Sequence, residues 1–421
     1  MQNNDSKIKV LCFGRFYDVK KGGIETHVEA LLENLADQVD FINLVPSKTW
    51  SGGETTIAEK IPVKITPSWN VDGSLAISPS LIFQAWKLHR QHKFDLIHLH
   101  FPDPMSHLAS MILPPQIPRI ITWHADIIRQ QKALKIYKPF LVNILRKAAA
   151  IIVATPKHAE SSAFLCKSAN IVENQKIHVI PFCVNPIYLH EYNSDDANLI
   201  LNIRKNLSQK YNLQNSQNSQ NSQNFHENSK IIFSLGRHVS YKGFDVLLKA
   251  IAKLKQQISQ QISQDLPKFQ LWLGGEGILT NDLKRLADDL QINDFVKFVG
   301  QISDADLPNF YRSCDIFCLP SITKAEAFGI VQIEAMACGK PVISTRLNNG
   351  VDYVNQNEIT GLIVDPSNVE ELSAAIQKLL ENSDLCRKFG DNAKQRVQRE
   401  FLPSVMAQRT LDLYKKILNK K

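Results

Sequence analysis

Short apolar segments alternate with segments of helical periodicity along most of the chain. IKVLCFG (8–14) is followed by IETHVEALLENL, in which apolar residues stand at positions 24, 28, 31, 32 and 35, a helical spacing. Further apolar runs, FDLIHLH, RIITWH and AAAIIVAT, come later in the same half. Because strands that alternate with helices form parallel sheets, the pattern predicts an α/β domain.

The same alternation restarts after residue 230, which predicts a second α/β domain. Its apolar runs are KIIFSLG, FQLWLGG, VKFVG, DIFCLP, KPVIST and GLIVD. Between the halves, QNSQNSQNSQN (214–224) is too polar to bury a core. We therefore predict an N-terminal domain over 1–190, a linker with a low-complexity insertion over 191–229, and a C-terminal domain over 230–400. Residues 401–421 are predicted to form a basic helix, either packed back across the domains or solvated.

Composition favours a globular protein of a reducing compartment. The chain has 421 residues, 44% of them hydrophobic, and seven cysteines without a CxxC pair, which argues against disulfides or a zinc site. The polar start MQNNDSKIKV and the lack of an apolar stretch approaching about 18 residues predict a cytoplasmic protein without a membrane span.

The positive charge is concentrated in the N-terminal half. The net charge is +8, of which residues 1–185 hold +6, and the segment 127–147 has six Lys or Arg and no acidic residue. This asymmetry indicates an anionic partner, and we predict peripheral contact with an anionic membrane. The alternative is a packed helix with a solvated basic face. Nucleic acid is disfavoured because no nucleic-acid-binding motif accompanies the charge.

The stretch EAFGIVQIE (326–334) has a glutamate at each end of a mostly apolar sequence. Drawn as a helix from Gly329, it places Glu334 on the apolar face with Ile330 and Val331, and Gln332 on the opposite face. A buried carboxylate needs a partner. A basic side chain, a hydroxyl side chain and a ligand all remain open.

Glycines and cations follow the strand-like runs of the second half, where ligands bind in parallel sheets. Gly236 and Arg237 follow KIIFSLG, with Lys242 close behind, and the two cations suit a diphosphate. Gly329 permits close backbone approach, and the amides of Ile330 and Val331 begin a helix, which favours an anion. The alternative is that both cations are ordinary loop residues.

The first half offers weaker signals. Gly22 and Gly23 open the first helix and could present amides to a ligand, although a tight turn is the commoner reason for a lone pair of glycines. His124 follows the run RIITW, and we predict that it faces a ligand-binding cleft at the end of this strand. His98 and His100 share one face of a strand and are read as a structural pair rather than a metal site. Asp304 and Asp306 could hold a metal ion, but Ser303 with Asp306 three residues later fits a helix cap, which is the interpretation we adopt.

Together these residues resemble the retaining glycosyltransferases of family four over nearly the whole chain, except 1–6 and about 190–229. The matching motifs are KKGGIETHV, LIHLHFPDP, TWHADIIRQ, GRHVSYKGFDVLL, GGEG, EAFGIVQIEAMACGKPVIST and GVDYVNQNEITGLIVDP. The resemblance implies the GT-B architecture, two facing Rossmann-like domains with the active site between them. Ala327, where many relatives have glycine, is a small departure.

The resemblance also implies roles for the residues. Glu334 would bind the ribose of a nucleotide sugar, Glu326 the transferred sugar, and Arg237 and Lys242 the diphosphate, with His124 beside the reacting sugar. The remaining donor-binding residues implied are Gly22, Gly23, Gly236, Phe328, Gly329, Ile330 and Val331.

The activity implied is transfer of a hexose, with mannose from GDP-mannose as the best match, to a lipid-linked or polysaccharide acceptor. The most similar transferases build bacterial O-antigen or related surface polysaccharide. No metal, cofactor or protein nucleophile is implied. Two alternatives stay open: a glycoside hydrolase that uses Glu326 and Glu334, and a non-catalytic partner subunit that keeps the fold.

Overall fold

The computed structural model describes residues 7–14, 23–71, 75–127, 131–190, 197–213, 229–260 and 266–419. The chain divides into two compact units, Met1–Cys183 together with Leu402–Lys421, and Val184–Phe401. Gly22 and the low-complexity tract 214–224 lie outside the described residues, so the predictions made for them stay predictions.

The first unit is built on an eight-stranded sheet and a separate two-stranded hairpin. Its strands are β1 (Ile8–Phe13), β2 (Val39–Pro46), β3 (Gly53–Ile57), β4 (Ile61–Thr66), β5 (Trp69–Val71), β6 (Leu75–Ile77), β7 (Leu96–Phe101), β8 (Arg119–Trp123), β9 (Ala150–Val153) and β10 (Ile177–Val179). The sheet has the order β10-β9-β8-β7-β1-β2-β4-β3. All its neighbours are parallel except β3 against β4.

Helices cover both faces of this sheet. They are α1 (Gly23–Leu35), α2 (Pro79–His92), α3 (Pro104–Met111), α4 (Gln131–Lys147) and α5 (Pro156–Ser161). In β1, Leu11 and Phe13 pack into one apolar cluster, whereas Val10 and Cys12 pack into the other. Alternate side chains of a strand point to opposite faces, so a strand buried on both faces reads as the continuous apolar run seen in the sequence.

The second unit contains a six-stranded, all-parallel sheet. Its strands are β11 (Lys230–Leu235), β12 (Phe269–Gly274), β13 (Val296–Gly300), β14 (Ile316–Leu319), β15 (Val342–Thr345) and β16 (Gly361–Val364). The order is β13-β12-β11-β14-β15-β16. Its helices are α6 (Ala197–Lys210), α7 (Phe244–Ser259), α8 (Thr280–Asp289), α9 (Leu307–Ser313), α10 (Ile330–Ala337), α11 (Gly350–Val354), α12 (Val369–Glu381) and α13 (Ser383–Arg396). The predicted pair of parallel-sheet α/β domains is confirmed.

The last helix, α14 (Pro403–Leu418), belongs to the first unit although it follows the second in sequence. Met406, Leu411 and Tyr414 are buried in the same apolar cluster as Val28 and Leu32 of α1. The Tyr414 hydroxyl lies 2.6 Å from Nδ1 of His98 on β7. The basic C-terminal segment is thus an integral part of the N-terminal core.

Candidate active site

Two neighbouring strands of the second unit lead into the loops that carry the charged residues singled out in the sequence. After β11 come Gly236, exposed Arg237 and buried Lys242, and after β14 comes Glu326, whose exposed fraction is 9%. Because β11 and β14 are paired in the sheet, their carboxyl-end loops lie side by side. This is the edge of a parallel sheet at which ligands bind.

Lys242 and Glu326 contact each other directly at this edge. The Lys242 Nζ lies 2.6 Å from Glu326 Oε2, and Ser321 Oγ donates a hydrogen bond of 3.0 Å to the same oxygen. The Asn349 side-chain amide donates to the backbone carbonyl of Glu326 at 2.5 Å. Both charged groups therefore have fixed positions. Arg237, the second cation predicted to bind the diphosphate, is exposed.

Gly236 makes room for Lys242. A Cβ atom at position 236 would lie 3.1 Å from Lys242 Cε and 3.3 Å from its Nζ. Such contacts are tighter than ordinary van der Waals distances, so a larger residue at position 236 would displace the lysine. Gly236, which was predicted to bind the donor, thus provides the space in which the Lys242 side chain lies.

Helix α10 begins close to Glu326, and its first residues are the predicted anion-binding segment. Gly329 has φ of +70°, and a Cβ there would lie 2.7 Å from Leu319 Cδ2, so the turn into the helix requires glycine. The amides of Ile330 and Val331 are in the first turn, where amides have no intrahelical acceptor. Phe328 is buried with its ring against Phe401.

The orientation of α10 differs from the helical-wheel prediction. Gln332, expected opposite the apolar face, is fully buried, and its amide donates to the Phe328 carbonyl at 3.3 Å. Ile330, Val331 and Glu334 are only half-buried. The prediction that Gln332 lies opposite the buried face was therefore wrong. Glu334 does share a face with Ile330 and Val331, and the neighbouring Ile333 and Ala337 are buried, so this face is packed on one side and partly open on the other.

Glu334 has a hydroxyl partner, one of the possibilities left open by the sequence. Tyr311 donates a hydrogen bond of 2.7 Å to Glu334 Oε2. Loss of hydration raises the pKa of Glu334 from 4.5 to about 7, and Asp304 adds to this, whereas the Tyr311 hydrogen bond opposes it. The Glu334 carboxyl group therefore exchanges its proton close to neutral pH.

We expect this raised pKa to appear in the pH dependence of stability. A carboxyl group with a folded-state pKa above its unfolded value binds its proton more tightly when folded. The contribution of the Glu334 carboxyl group to the free energy of unfolding is fully present below pH 4.5 and is lost as the pH rises towards 7. The stability of Glu334→Gln relative to wild type should therefore increase across this window, measured by urea unfolding at several pH values. A constant difference across the window would contradict the raised pKa.

In the first unit, His124 follows β8 and lies in a cluster of aromatic rings. Its Nε2 is 3.0 Å from His100 Nδ1, and its ring stacks on Phe182 at a centroid distance of 5.2 Å. The His27 ring contacts His124 edge-on at 5.1 Å. Burial lowers the pKa of His27 to about 4 and that of His100 well below its ordinary value, so these imidazoles are neutral at neutral pH.

His27, His100 and His124 are the residues best placed to hold a metal ion in the described part of the chain. One ligand atom from each lies within 4.8 Å of the others. His98 is not in this group, because its two ring nitrogens contact the Tyr414 and Thr122 hydroxyls. The structural reading of the His98 and His100 pair thus fits His98, whereas His100 joins the His124 cluster.

The other residues considered in the sequence have simpler positions. Gly23 is the first residue of α1. Asp306 accepts hydrogen bonds from Lys210, Ser303 and Tyr211, which lower its pKa to about 2. The Ser303 hydroxyl accepts a hydrogen bond of 3.2 Å from the Asp306 amide, which fits the predicted cap, whereas the Asp306 side chain makes no capping hydrogen bond to α9.

Sequence reasoning missed four side chains that complete these clusters: Ser321, Asn349, Tyr311 and His27. Ser321 could have been found by inspecting the residues that follow each strand, because it comes two residues after the end of β14. His27 lies within the GGIETHV motif and could have been singled out with it. The sequence offers no comparable signal for Tyr311 or Asn349, whose roles depend on tertiary packing.

Comparison with known proteins identifies the family. The profile of the glycosyl transferases group 1 matches residues 215–396, and that of glycosyltransferase family 4 matches residues 21–187. The O-antigen chain mannosyltransferase C of Escherichia coli is 24% identical over 328 residues, 78% of this chain and 77% of that protein. The D-rhamnosyltransferase WbpZ of Pseudomonas aeruginosa is 27% identical over 307 residues, 73% and 70% of the two chains.

Solved structures show the same fold. A glycosyltransferase from Rickettsia africae matches with a TM-score of 0.72 and 24% identity over 99% of this chain and all of that one. Anabaena HepE in complex with UDP matches with a TM-score of 0.70 and 21% identity, over 97% of this chain and 100% of that one. The two family profiles follow one another along the two parallel-sheet units, and this chain belongs to the GT-B glycosyltransferases of group 1 and family 4.

Proposed function

We propose that this glycosyltransferase moves a hexose from a nucleotide sugar to a lipid-linked or polysaccharide acceptor, with retention of configuration and without a metal ion. Our best assignment of the donor is GDP-mannose, since related chains include mannosyltransferases. The observation that carries the proposal is the contact between Lys242 and Glu326 beside the first turn of α10. One edge of the sheet thereby offers a cation, a carboxylate and free amides together.

These groups match the parts of a nucleotide sugar. Negative charge grows on the diphosphate as the glycosidic bond breaks, and a fixed ammonium group and helix amides stabilise that charge in the transition state. Lys242, Arg237 and the amides of Ile330 and Val331 would do this. Glu326 would accept hydrogen bonds from hydroxyls of the transferred sugar. Glu334, on the partly open face of α10, would bind the ribose.

Retention follows in this proposal from attack on the face that the diphosphate leaves. The departing phosphate oxygen takes the proton of the acceptor hydroxyl, so a covalent intermediate on the protein is not required. Glu326 is tied to Lys242 and Ser321, which suits a binding role better than attack on carbon. His124 would lie beside the reacting sugar.

The function can be tested by incubating the purified protein with GDP-, UDP- and ADP-sugars and measuring nucleotide release. We expect GDP-mannose to be turned over fastest, and NMR of the transferred product should show the anomeric configuration of the donor. Preference for another nucleotide sugar would correct the donor, and an inverted product would overturn the retaining mechanism.

The same assay addresses the alternatives. A hydrolase would consume glycan without a nucleotide sugar, but the chain belongs to a transferase family, and its paired glutamates have separate partners, Lys242 and Tyr311. A non-catalytic partner subunit would release no nucleotide from any donor. The buried Lys242–Glu326 pair favours an active enzyme.

We expect transfer to persist after treatment with EDTA and removal of the chelated ions. The reason is that Lys242, Arg237 and the α10 amides provide positive charge where other enzymes use a divalent cation. The measurement is the rate of transfer before and after chelation. A loss of activity that magnesium or manganese restores would contradict it and assign a role to an ion.

The described helices include none that is both long and apolar enough to cross a bilayer. We propose peripheral membrane contact through α4, part of the basic segment predicted from the sequence. Ile136 and Phe140 of α4 are 78% and 46% exposed, and Lys135 and Lys138 on the same helix are exposed too. Exposed apolar residues next to cations suit a helix that lies in an anionic membrane surface.

Vesicle sedimentation should reveal this contact. We expect binding to anionic but not to neutral vesicles, weakening with salt, because each lysine near an anionic surface contributes about 1 kcal/mol. Lys135→Gln/Lys138→Gln should lose most of the binding. The matched control, Lys415→Gln/Lys416→Gln on α14, loses the same charge and should still bind. Equal loss in both variants would show only a net-charge effect.

A further inference from the structure

Two tryptophans stack on each other at the surface of the first unit. Trp50 is 61% exposed and Trp69 is 55% exposed, and their rings lie 4.3 Å apart with an angle of 25° between the planes. Ile77, directly opposite Trp69 in the β5–β6 hairpin, is also exposed. Large exposed aromatic surfaces are uncommon on soluble proteins and mark interaction sites.

Hydrogen bonds hold this tryptophan pair in place. Trp50 follows Thr49 and Trp69 follows Ser68, and the Ser68 amide donates to the Thr49 carbonyl at 3.2 Å. The Ser68 hydroxyl donates to the Ser47 carbonyl, and the Ser47 amide donates to the Thr66 carbonyl at 2.8 Å. The two loops are therefore joined beneath the rings. A rigid aromatic surface loses little conformational entropy when a ligand binds.

Hydroxyl side chains flank Trp50. Thr49 and Ser51, on either side of Trp50 in the sequence, are exposed and their hydroxyls lie 2.6 Å apart. A flat apolar surface beside hydroxyl groups has the chemistry of a sugar-binding site. The C–H faces of a pyranose ring pack on an indole, while its hydroxyls exchange hydrogen bonds with neighbouring polar side chains.

The position of the tryptophan pair connects it to the site around His124. Trp50 follows the carboxyl end of β2 and Trp69 that of β4, while His124 follows the carboxyl end of β8. All three strands are parallel members of one sheet in the order β8-β7-β1-β2-β4, so these residues share one sheet edge. At about 4.8 Å per strand, the pair is roughly 14–19 Å along that edge from His124. A chain of several linked sugars spans such a distance.

We infer that Trp50 and Trp69 form a binding subsite for the saccharide chain of the acceptor, several sugar units away from the reacting end. This inference rests on the proposed function, because it takes the sugar-accepting substrate to be a glycan. A lipid surface is a weaker match, since hydroxyl side chains flank Trp50.

The fluorescence of the exposed tryptophans provides a test that does not need turnover. The chain has five tryptophans, of which Trp123 and Trp272 are fully buried. Replacing Trp86, 42% exposed on α2, with phenylalanine leaves Trp50 and Trp69 as the exposed reporters. This Trp86→Phe protein is titrated with tetrasaccharides of mannose, glucose and N-acetylglucosamine, with the matching monosaccharides, and with neutral and anionic vesicles.

We expect a tetrasaccharide to change the fluorescence, with a dissociation constant at least about tenfold below that of its monosaccharide. Binding followed by calorimetry should weaken about tenfold in Trp50→Ala and in Trp69→Ala. Phe83→Ala, which removes another exposed aromatic ring on α2, should bind as the parent does. The inference would be overturned if no tetrasaccharide changed the fluorescence, or if Trp50→Ala and Trp69→Ala bound the tetrasaccharide as tightly as the parent protein does. A response to vesicles alone would assign the surface to lipid instead.

Donor turnover in the same proteins separates this inference from the proposed function. Turnover of a nucleotide sugar without saccharide binding would refute the subsite alone. Saccharide binding without turnover of any nucleotide sugar would refute the proposed transfer reaction but leave a glycan-binding surface.

Discussion

Lys242→Met should lower the turnover of nucleotide sugar about 100- to 1,000-fold, the effect of removing one fixed group that stabilises transition-state charge. The ammonium group is held at the carboxyl end of β11 by Glu326, in space that Gly236 provides. Initial rates at saturating donor provide the measurement. Lys249→Met on the exposed face of α7 removes an equal charge and should leave the rate unchanged.

The stability of Lys242→Met needs a separate control, because the substitution removes the cation beside the buried Glu326 carboxylate and leaves it the hydrogen bond from Ser321. Removing one member of a buried ion pair destabilises a protein by about 3–5 kcal/mol. Lys242→Met/Glu326→Gln should recover much of that stability without recovering turnover. If the double variant recovered both, Lys242 would serve folding rather than the reaction.

Glu326→Gln and Glu334→Gln should affect different steps. Glu326→Gln should lower turnover while nucleotide binding persists, because the residue is assigned to the transferred sugar. Glu334→Gln should weaken nucleotide binding about ten- to a hundredfold, the effect of losing hydrogen bonds to a charged group. Calorimetry with the free nucleotide and initial rates with the nucleotide sugar separate the two effects.

The pH dependence of nucleotide binding provides an internal control for the role of Glu334. Its pKa is raised to about 7, so wild-type nucleotide affinity should increase as the pH rises through this value and the carboxylate forms. Glu334→Gln should show no such increase. Unchanged nucleotide affinity in a folded Glu334→Gln protein would refute the ribose assignment.

The fold could be predicted because its information is local. A strand buried on both faces must be apolar throughout, so runs such as IKVLCFG and KIIFSLG identified the parallel strands β1 and β11 directly. The antiparallel strand β3, GETTI, has exposed and half-buried positions and carries no such run. It was therefore not predicted.

The site was predictable in its residue types but not in its contacts. The residues after a strand identified Lys242, and the paired glutamates of EAFGIVQIE identified Glu326. Their contact depends on the pairing of β11 with β14, strands that are distant in sequence. Periodicity grouped Ile330, Val331 and Glu334 on one face of α10, yet it could not decide which face packs on the sheet. In the structure Gln332 is on the buried side, where its amide donates a hydrogen bond to the Phe328 carbonyl.

The placement of α14 in the first unit has a consequence for synthesis on the ribosome. Tyr414 and Leu411 fill a core whose other side chains include those of α1 and β1, several hundred residues earlier. Domains generally fold as units in the order in which they emerge. Here the N-terminal unit lacks a core helix until Pro403–Leu418 has been made, whereas Val184–Phe401 is already complete by then. The unit made first is therefore finished last, and a nascent chain halted before Leu402 exposes the apolar surface that α14 covers.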